Sequence, residues 1–323
     1  FTKVFIHFIP KIRKLNNENR MQKVTCVVKA DNILGECPIW DDKLQLLCWI
    51  DIQDKRFFTY NPTSMLTNTY ELPERCGSFC MCNNGLNYYL FAFENGPCFY
   101  NPYINKILYR IFNYHENTHY LRLNDGRCDR FGNFVVGGIV ESNSNDKDTR
   151  TVIYKINKDL SYSTLIDGIK VTNSICFNID GNKMYYTDSR SSPKVIYEAD
   201  YNENIKVLKD KKVFVKWIMN ADNNIGLPDG SCIDSDGYLW NAQFLGSKIV
   251  RYDPNGNIDM VIDIPETNPT CCCFGGKNLD TLYVTTAKYK SKIPKGYVYA
   301  IKLKGIKGLK EDRFAGICPV NKL

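Results

Sequence analysis

Glu36, Asn124, Asn173 and Asp229 are oxygen-bearing side chains placed at one phase of a recurring pattern. Asn124 opens Asn124-Asp125-Gly126, Asn173 precedes Ser174, and Asp229 sits in Pro228-Asp229-Gly230. Turn glycines Gly132, Gly181 and Gly237 follow Asn124, Asn173 and Asp229 at the same interval of eight residues. Glu36, in Gly35-Glu36-Cys37-Pro38, precedes the turn at Asp41-Asp42-Lys43 by nearly that interval. If the repeats close in a circle, equivalent positions form one ring. A ring carrying Glu, Asn, Asn and Asp is an all-oxygen site suited to a hard cation.

The elements that must hold such a ring are strands. Helical periodicity is nearly absent, and one phrase recurs: a polar turn, a strand ending near Asp or Thr, and a further strand holding an aromatic. The first of these strands covers Leu44 to Asp51, Leu86 to Ala92, Phe134 to Gly137, Met184 to Asp188, Tyr238 to Ala242 and Leu282 to Thr285. The second covers Phe57 to Tyr60, Cys98 to Tyr100, Val152 to Tyr154, Val195 to Tyr197, Ile249 to Tyr252 and Tyr297 to Tyr299. Asp-Gly and Asn-Gly turns between such runs are hairpin chemistry. Six units at intervals of about 40 to 55 residues predict an all-β, six-bladed β-propeller with a metal site in its central channel. The runs before the turns, Ser174 to Phe177 and Ser231 to Asp234, are expected to line the channel. The two remaining blades offer Gly77 and Thr270 at this phase, which leaves the ring one-sided and open to a substrate.

At 323 residues the chain can bury a large core, and 44% hydrophobic with 24% charged residues is ordinary for a water-soluble globular protein. Residues 22–323 are expected to form the propeller, beginning near Met21 and the strand-like run Val24 to Val28. Residues 1–21 read as a basic extension, either disordered or a targeting peptide; Phe1 to Arg20 hold five Lys or Arg and one Glu. The net charge of +7 is modest, and no dense basic stripe with interleaved aromatics suggests nucleic acid. No stretch approaches eighteen uninterrupted apolar residues, so no membrane span is expected. The fourteen cysteines fall largely in apolar strand-like runs, among them Cys80, Cys82, Cys176, Cys232 and Cys271 to Cys273. They read as small buried hydrophobes in a reducing, cytoplasmic setting rather than as a disulfide set. His115-Glu116-Asn117-Thr118-His119 spells H-E-x-x-H, but its strand-like flanks argue for a loop rather than a zinc helix.

The chain resembles the SMP-30/gluconolactonase/luciferin-regenerating family from Met21 onward. The resemblance rests on Leu34-Gly35-Glu36-Cys37-Pro38-Ile39-Trp40-Asp41, Arg122-Leu123-Asn124-Asp125-Gly126 and Tyr185-Tyr186-Thr187-Asp188-Ser189. It continues in Leu227-Pro228-Asp229-Gly230, Gly237-Tyr238-Leu239-Trp240, Arg251-Tyr252-Asp253-Pro254 and Phe274-Gly275-Gly276. It implies a six-bladed propeller that binds one divalent metal ion and opens sugar-acid lactones. It further implies metal ligation by Glu36, Asn173 and Asp229, and substrate contact by Arg122, Asn124 and Glu141. Three departures stand out. Ser174 replaces a common Gly and is expected to narrow the pocket, Glu141-Ser142 stands where regucalcin-like members carry two acids, and Gln243-Phe244-Leu245-Gly246 lacks the usual paired glycines.

In this reading a bound cation polarises the lactone carbonyl and acidifies a water, Asp229 takes the proton, and Arg122 with Asn124 orients the substrate. The oxygen ligands suit Ca²⁺, with Zn²⁺ tolerated and Mg²⁺ or Mn²⁺ also admissible. Two other readings stand beside the lactonase: a paraoxonase-like esterase or phosphotriesterase, and a non-enzymatic calcium-binding regulator. The expected partner is a small sugar lactone, and the chain is expected to be a monomer or weak dimer.

Overall fold

Asp-Gly and Asn-Gly turns punctuate the chain because their geometry demands a residue without a side chain. Gly132, Gly181 and Gly237 have φ of 83°, 70° and 81°, in the left-handed region where a Cβ is costly. Each donates its amide to the carbonyl three residues back, on Asp129, Asn178 and Asp234, at 3.2, 3.2 and 3.1 Å. Three hairpins are thus closed by the same device at the same phase.

The computed structural model describes residues 23–84, 87–114, 120–141, 148–216, 226–289 and 296–319. These residues form six four-stranded sheets, the blades of a β-propeller. From inside outward, blade 1 contains Gly35–Asp41, Leu46–Asp51, Arg56–Asn61 and Leu66–Glu71. Blade 2 contains Cys76–Met81, Tyr89–Phe93, Gly96–Asn101 and Lys106–Arg110. Blade 3 contains Leu121–Cys128, Phe134–Val140, Thr151–Ile156 and Tyr162–Ile169. Blade 4 contains Thr172–Phe177, Lys183–Asp188, Val195–Asp200 and Lys211–Lys216, and blade 5 contains Leu227–Ile233, Leu239–Phe244, Lys248–Tyr252 and Ile258–Asp263. Blade 6 takes Pro269–Gly275, Thr281–Thr286 and Gly296–Lys302 from the end of the chain and Val24–Asn32 from its start. Val24 pairs with Ile301 and Thr25 with Ala300, so this outer strand ties the ring shut.

The six innermost strands touch one another around the axis. Between blades the core is dry and aromatic. Phe57 of blade 1 meets Phe79 of blade 2 edge to face, centroids 5.3 Å apart. Trp49 and Trp240 are fully buried. Truncating rings of this kind costs about 3–5 kcal/mol each. All fourteen cysteines are free and only Cys26 is exposed, as expected of small hydrophobes in strands. The second strand of blade 2 runs over Tyr89–Phe93, and its expected start at Leu86 lies outside the described residues. The channel strands of blades 4 and 5 begin earlier than expected, at Thr172 and Leu227. The basic extension through residue 21 and the His115 to His119 motif lie outside the described residues.

One irregularity recurs in every innermost strand. The pairing register shifts between Glu36 and Ile39, Cys76 and Ser78, and Leu123 and Gly126. It shifts again between Asn173 and Cys176, Pro228 and Ser231, and Pro269 and Cys271. A bulge breaks the strict alternation of side chains and re-aims those beside it. Every candidate ligand stands at one.

The opposite mouth of the channel is covered by the C-terminal segment. Phe314 donates to Met81 O at 2.8 Å, Ala315 to Gly132 O at 2.8 Å and Gly308 to Leu279 O at 2.7 Å. Glu311 pairs with the channel residue Arg127 at 3.2 Å and Arg313 with Asp41 at 2.7 Å. A groove of about 340 Å³ lies on this face, lined by Asp42, Arg130, Asp312 and Arg313 among others. In it Arg130 pairs with Asp312 and Asp42 with Lys310 and Arg313, and none of the candidate site residues lines it.

Candidate metal and substrate site

The strands carrying Glu36 and Asn173 are pinned by aspartates on their neighbours. Asp51, at the end of the second strand of blade 1, accepts the amides of Ile33 and Leu34 at 2.8 and 3.1 Å. Asp188, at the same place in blade 4, accepts those of Lys170 and Val171 at 3.1 and 3.0 Å. The chain therefore enters both bulges along a fixed path. The residues after the candidate ligands, Cys37 and Ser174, then adopt φ of 48° and 62°. Non-glycine residues are uncommon there, and the strain is offset only where the surroundings fix the conformation.

Ser174 shows what does the fixing. Its Oγ donates to the Asp229 carbonyl at 2.7 Å and is 2.8 Å from Ser231 Oγ, while Asn241 Nδ2 donates to it at 2.9 Å. The side chain is fully buried against blade 5 and does not narrow the mouth, contrary to the expectation from sequence. Ser78 and Thr270 do the same work elsewhere, donating to Asn124 O at 2.7 Å and Gly35 O at 2.5 Å. In alternate blades a hydroxyl thus grips the neighbouring bulge by its backbone. Thr270 is consumed by that bond. Gly77 lies so close to blade 3 that a Cβ would stand 2.3 Å from Leu123 O.

Three carboxylates share the channel mouth. Burial pushes Glu36 up to about 8, aided by the charge of Asp125. Burial also raises Asp125 to about 6, although Ile175 N donates to its Oδ2 at 2.8 Å. Asp229 is pushed well above the usual carboxylate range by burial, then by the charges of Glu36 and Asp125. Among the described residues no Lys or Arg forms an ion pair with any of the three. The charges of Arg122 and Arg127 oppose the shifts of Glu36 and Asp125 only in part, and buried negative charge so weakly offset is unfavourable unless it is protonated or meets a cation.

A polar chain runs along the other side of the mouth. Arg122 donates through Nε to Glu141 Oε1 at 3.2 Å and through Nη1 to Asn124 Oδ1 at 2.7 Å. Asn124 donates through Nδ2 to Asn173 Oδ1 at 3.0 Å and to Thr172 O at 2.9 Å. Asn173 donates to Ser189 Oγ at 2.9 Å, and Ser189 to Pro228 O at 2.8 Å, beside Asp229. The run Glu141, Arg122, Asn124, Asn173, Ser189 therefore links blades 3, 4 and 5. Arg122 has its guanidinium pKa lowered, chiefly by burial, with Glu141 opposing.

Expected site residues thus fall into two groups, one of buried carboxylates and one of hydrogen-bonded amides and guanidinium. Asp125 and Ser189 are placed with them although sequence reasoning gave them no role. Asp125 stood in the Asn124-Asp125-Gly126 signature without a role of its own. It directly follows the candidate Asn124, inside the bulge between Leu123 and Gly126.

The donor set fits a hard divalent cation in kind: two carboxylates and an amide oxygen, without nitrogen or sulfur. Among the described residues no three His, Cys, Asp or Glu side chains are grouped to hold a metal by themselves, so a cation held here would draw on Asn173 for a third oxygen.

Residues 34–288 match the family model described as SMP-30/Gluconolactonase/LRE-like region. The chain is 26% identical over 302 residues to the 6-deoxy-6-sulfogluconolactonase of Pseudomonas putida, covering 91% of this chain and 99% of that protein. It is 30% identical over 275 residues to the L-arabinolactonase of Azospirillum brasilense, covering 82% and 85%. Among solved structures it superposes on a luciferin-regenerating enzyme with a TM-score of 0.81 at 23% identity, covering 92% of this chain and 100% of that one. With the ring of bulges, the match over most of the propeller and lactonases among its relatives, this chain belongs to the SMP-30/gluconolactonase family.

Proposed function

We propose that this protein is a divalent-metal-dependent hydrolase that opens sugar-acid lactones. The observation that carries the reading is the convergence of buried carboxylates from blades 1, 3 and 5: Asp229 is raised by burial and by the charges of Glu36 and Asp125, and Glu36 by burial and Asp125, with Arg122 offsetting Glu36 only in part. Glu36, Asn173 and Asp229 would hold the cation. When bound, it would polarise the lactone carbonyl and make a water acidic enough to attack.

The remaining work falls to the chain's own groups. Asp229 is buried, and desolvation gives its carboxylate the proton affinity of a base rather than of an exposed acid. It would accept the proton of the attacking water. Arg122 Nη1 is committed to Asn124 Oδ1 and Leu123 O, and no described residue accepts a bond from Nη2. That nitrogen is the donor left for a substrate hydroxyl or carbonyl. Asn124 is fixed on both sides by Arg122 and Asn173, so it would present one orientation to the substrate. Glu141 serves this scheme by holding Arg122.

The test is proton release from a panel of aldonolactones, aryl esters and phosphotriesters, with Ca²⁺, Zn²⁺, Mg²⁺, Mn²⁺ or chelator. Lactone turnover that chelator abolishes and Asp229→Ala lowers at least ~10³-fold, with an unchanged circular dichroism spectrum, is the expected result. Chelator-resistant turnover, or a fully active Asp229→Ala protein, sinks the proposal. Turnover confined to esters or phosphotriesters moves it to another substrate class.

A further inference from the structure

Arg75 stands immediately before the innermost strand of blade 2, outside every motif that marks the site. Its backbone amide donates to Glu94 Oε1 at 3.2 Å and its Nε to Glu94 Oε2 at 2.7 Å. Glu94 therefore grips both the main chain and the side chain of one residue, which leaves the guanidinium a single direction. In that direction lies Glu141: Arg75 Nη1 donates to its Oε1 at 3.0 Å and its Oε2 at 3.1 Å. Glu141 Oε1 is also the acceptor of Arg122 Nε. One carboxylate is thus shared by two guanidiniums from two blades.

The sharing has a mechanical consequence. Glu141 directly follows the strand Phe134–Val140, and from there it could turn its carboxylate several ways. A second cation on both oxygens removes that freedom, and charge-assisted bonds of this kind set direction as well as energy. With Glu141 fixed, the plane of Arg122 is fixed, and with it the direction in which Nη2 can donate. The contact between blades is close enough to transmit this, because Gly77 brings blade 2 directly against the backbone at Leu123 and Asn124.

We infer that Arg75 is a positioning residue: through Glu141 it locks Arg122 in the orientation that binds the lactone's oxygens. It does not touch substrate itself. The inference rests on the lactonase reading of the site, but its central step is a property of the side chains alone and can be measured without turnover. Arg75 is partly exposed, at 21% of its side-chain surface, so its substitution is compatible with folding.

The experiment compares wild type with Arg75→Met, which keeps length without charge, and Arg75→Lys, which restores charge and a donor. In protein carrying isotope-labelled arginine, the Arg122 Nε–H resonance is assigned by its loss in Arg122→Lys. Its hydrogen exchange is expected to quicken about tenfold or more in Arg75→Met and to return toward wild type in Arg75→Lys. Exchange unchanged in Arg75→Met overturns the inference. On the metal-loaded enzyme, Arg75→Met is expected to raise KM for polyhydroxy lactones about tenfold, with kcat within about threefold of wild type. Arg75→Lys should recover most of that loss. An unchanged KM also overturns it. A wild type that turns over no lactone counts against the proposed function, and the exchange measurement then decides the positioning role by itself.

Discussion

Asn124 Nδ2 and Asn173 Oδ1 meet across the boundary between blades 3 and 4 at 3.0 Å, and each amide is held at its other end. Arg122 fixes the oxygen of Asn124, and Ser189 accepts from the nitrogen of Asn173. The proposed metal ligand and the proposed substrate contact are therefore one hydrogen-bonded unit. Neither can rotate without breaking a bond in the other.

Asn124→Ala should for this reason weaken metal binding as well as substrate binding. Loss of a partner that orients a ligand typically costs 10–100-fold in affinity. Calorimetric titration of the chelator-treated protein with Ca²⁺ or Zn²⁺ is expected to show a loss in that range, alongside a raised KM. Metal affinity equal to wild type would mean that Asn173 holds its orientation without Asn124.

The metal-free protein should lose stability as pH rises. Glu36 has its folded pKa raised from 4.5 to about 8, mainly by burial, so the folded state holds its proton more tightly than the unfolded chain. The stability this confers is fully present below about pH 4.5 and is lost as pH rises toward 8. Asp229 is shifted in the same direction. Thermal melts in chelator from pH 5 to 8 should show a falling midpoint whose slope shrinks in Glu36→Gln. Saturating divalent cation should remove the fall, since it supplies the missing positive charge. A slope identical in wild type and Glu36→Gln would assign the pH dependence to other groups.

Ser174 provides a test of which way its side chain faces. Ser174→Gly relieves the strain of φ 62° but gives up the bonds to Asp229 O and Asn241. These effects oppose each other and are each about 1 kcal/mol, so stability should stay within about 1 kcal/mol of wild type. Relative kcat/KM across lactones of different size should not change. Selectivity that broadened toward bulkier lactones would put the side chain in the mouth after all.

Sequence alone determined the number of blades, the turn glycines and the candidate ligands. These follow from local rules: strand alternation, turns that need positive φ, and equal spacing from a turn to a polar residue. The family motifs added roles for Arg122, Asn124 and Glu141. Hidden in the sequence were the facts that depend on pairs of residues far apart. Val24 to Val28 looked like a strand, but only the closed ring shows that Val24–Asn32 completes blade 6 beside Gly296–Lys302. Ser174 looked like a wall of the pocket, yet the bulge turns it into blade 5. Asp125 carried no role of its own in the sequence, although it lends its charge to both Glu36 and Asp229. Arg75 carries no motif, and its reach to Glu141 spans 66 positions of sequence. Spacing along the chain fixes which residues share a phase. Which way each side chain points depends on the bulges and on the blade next door, and those exist only once the ring has closed.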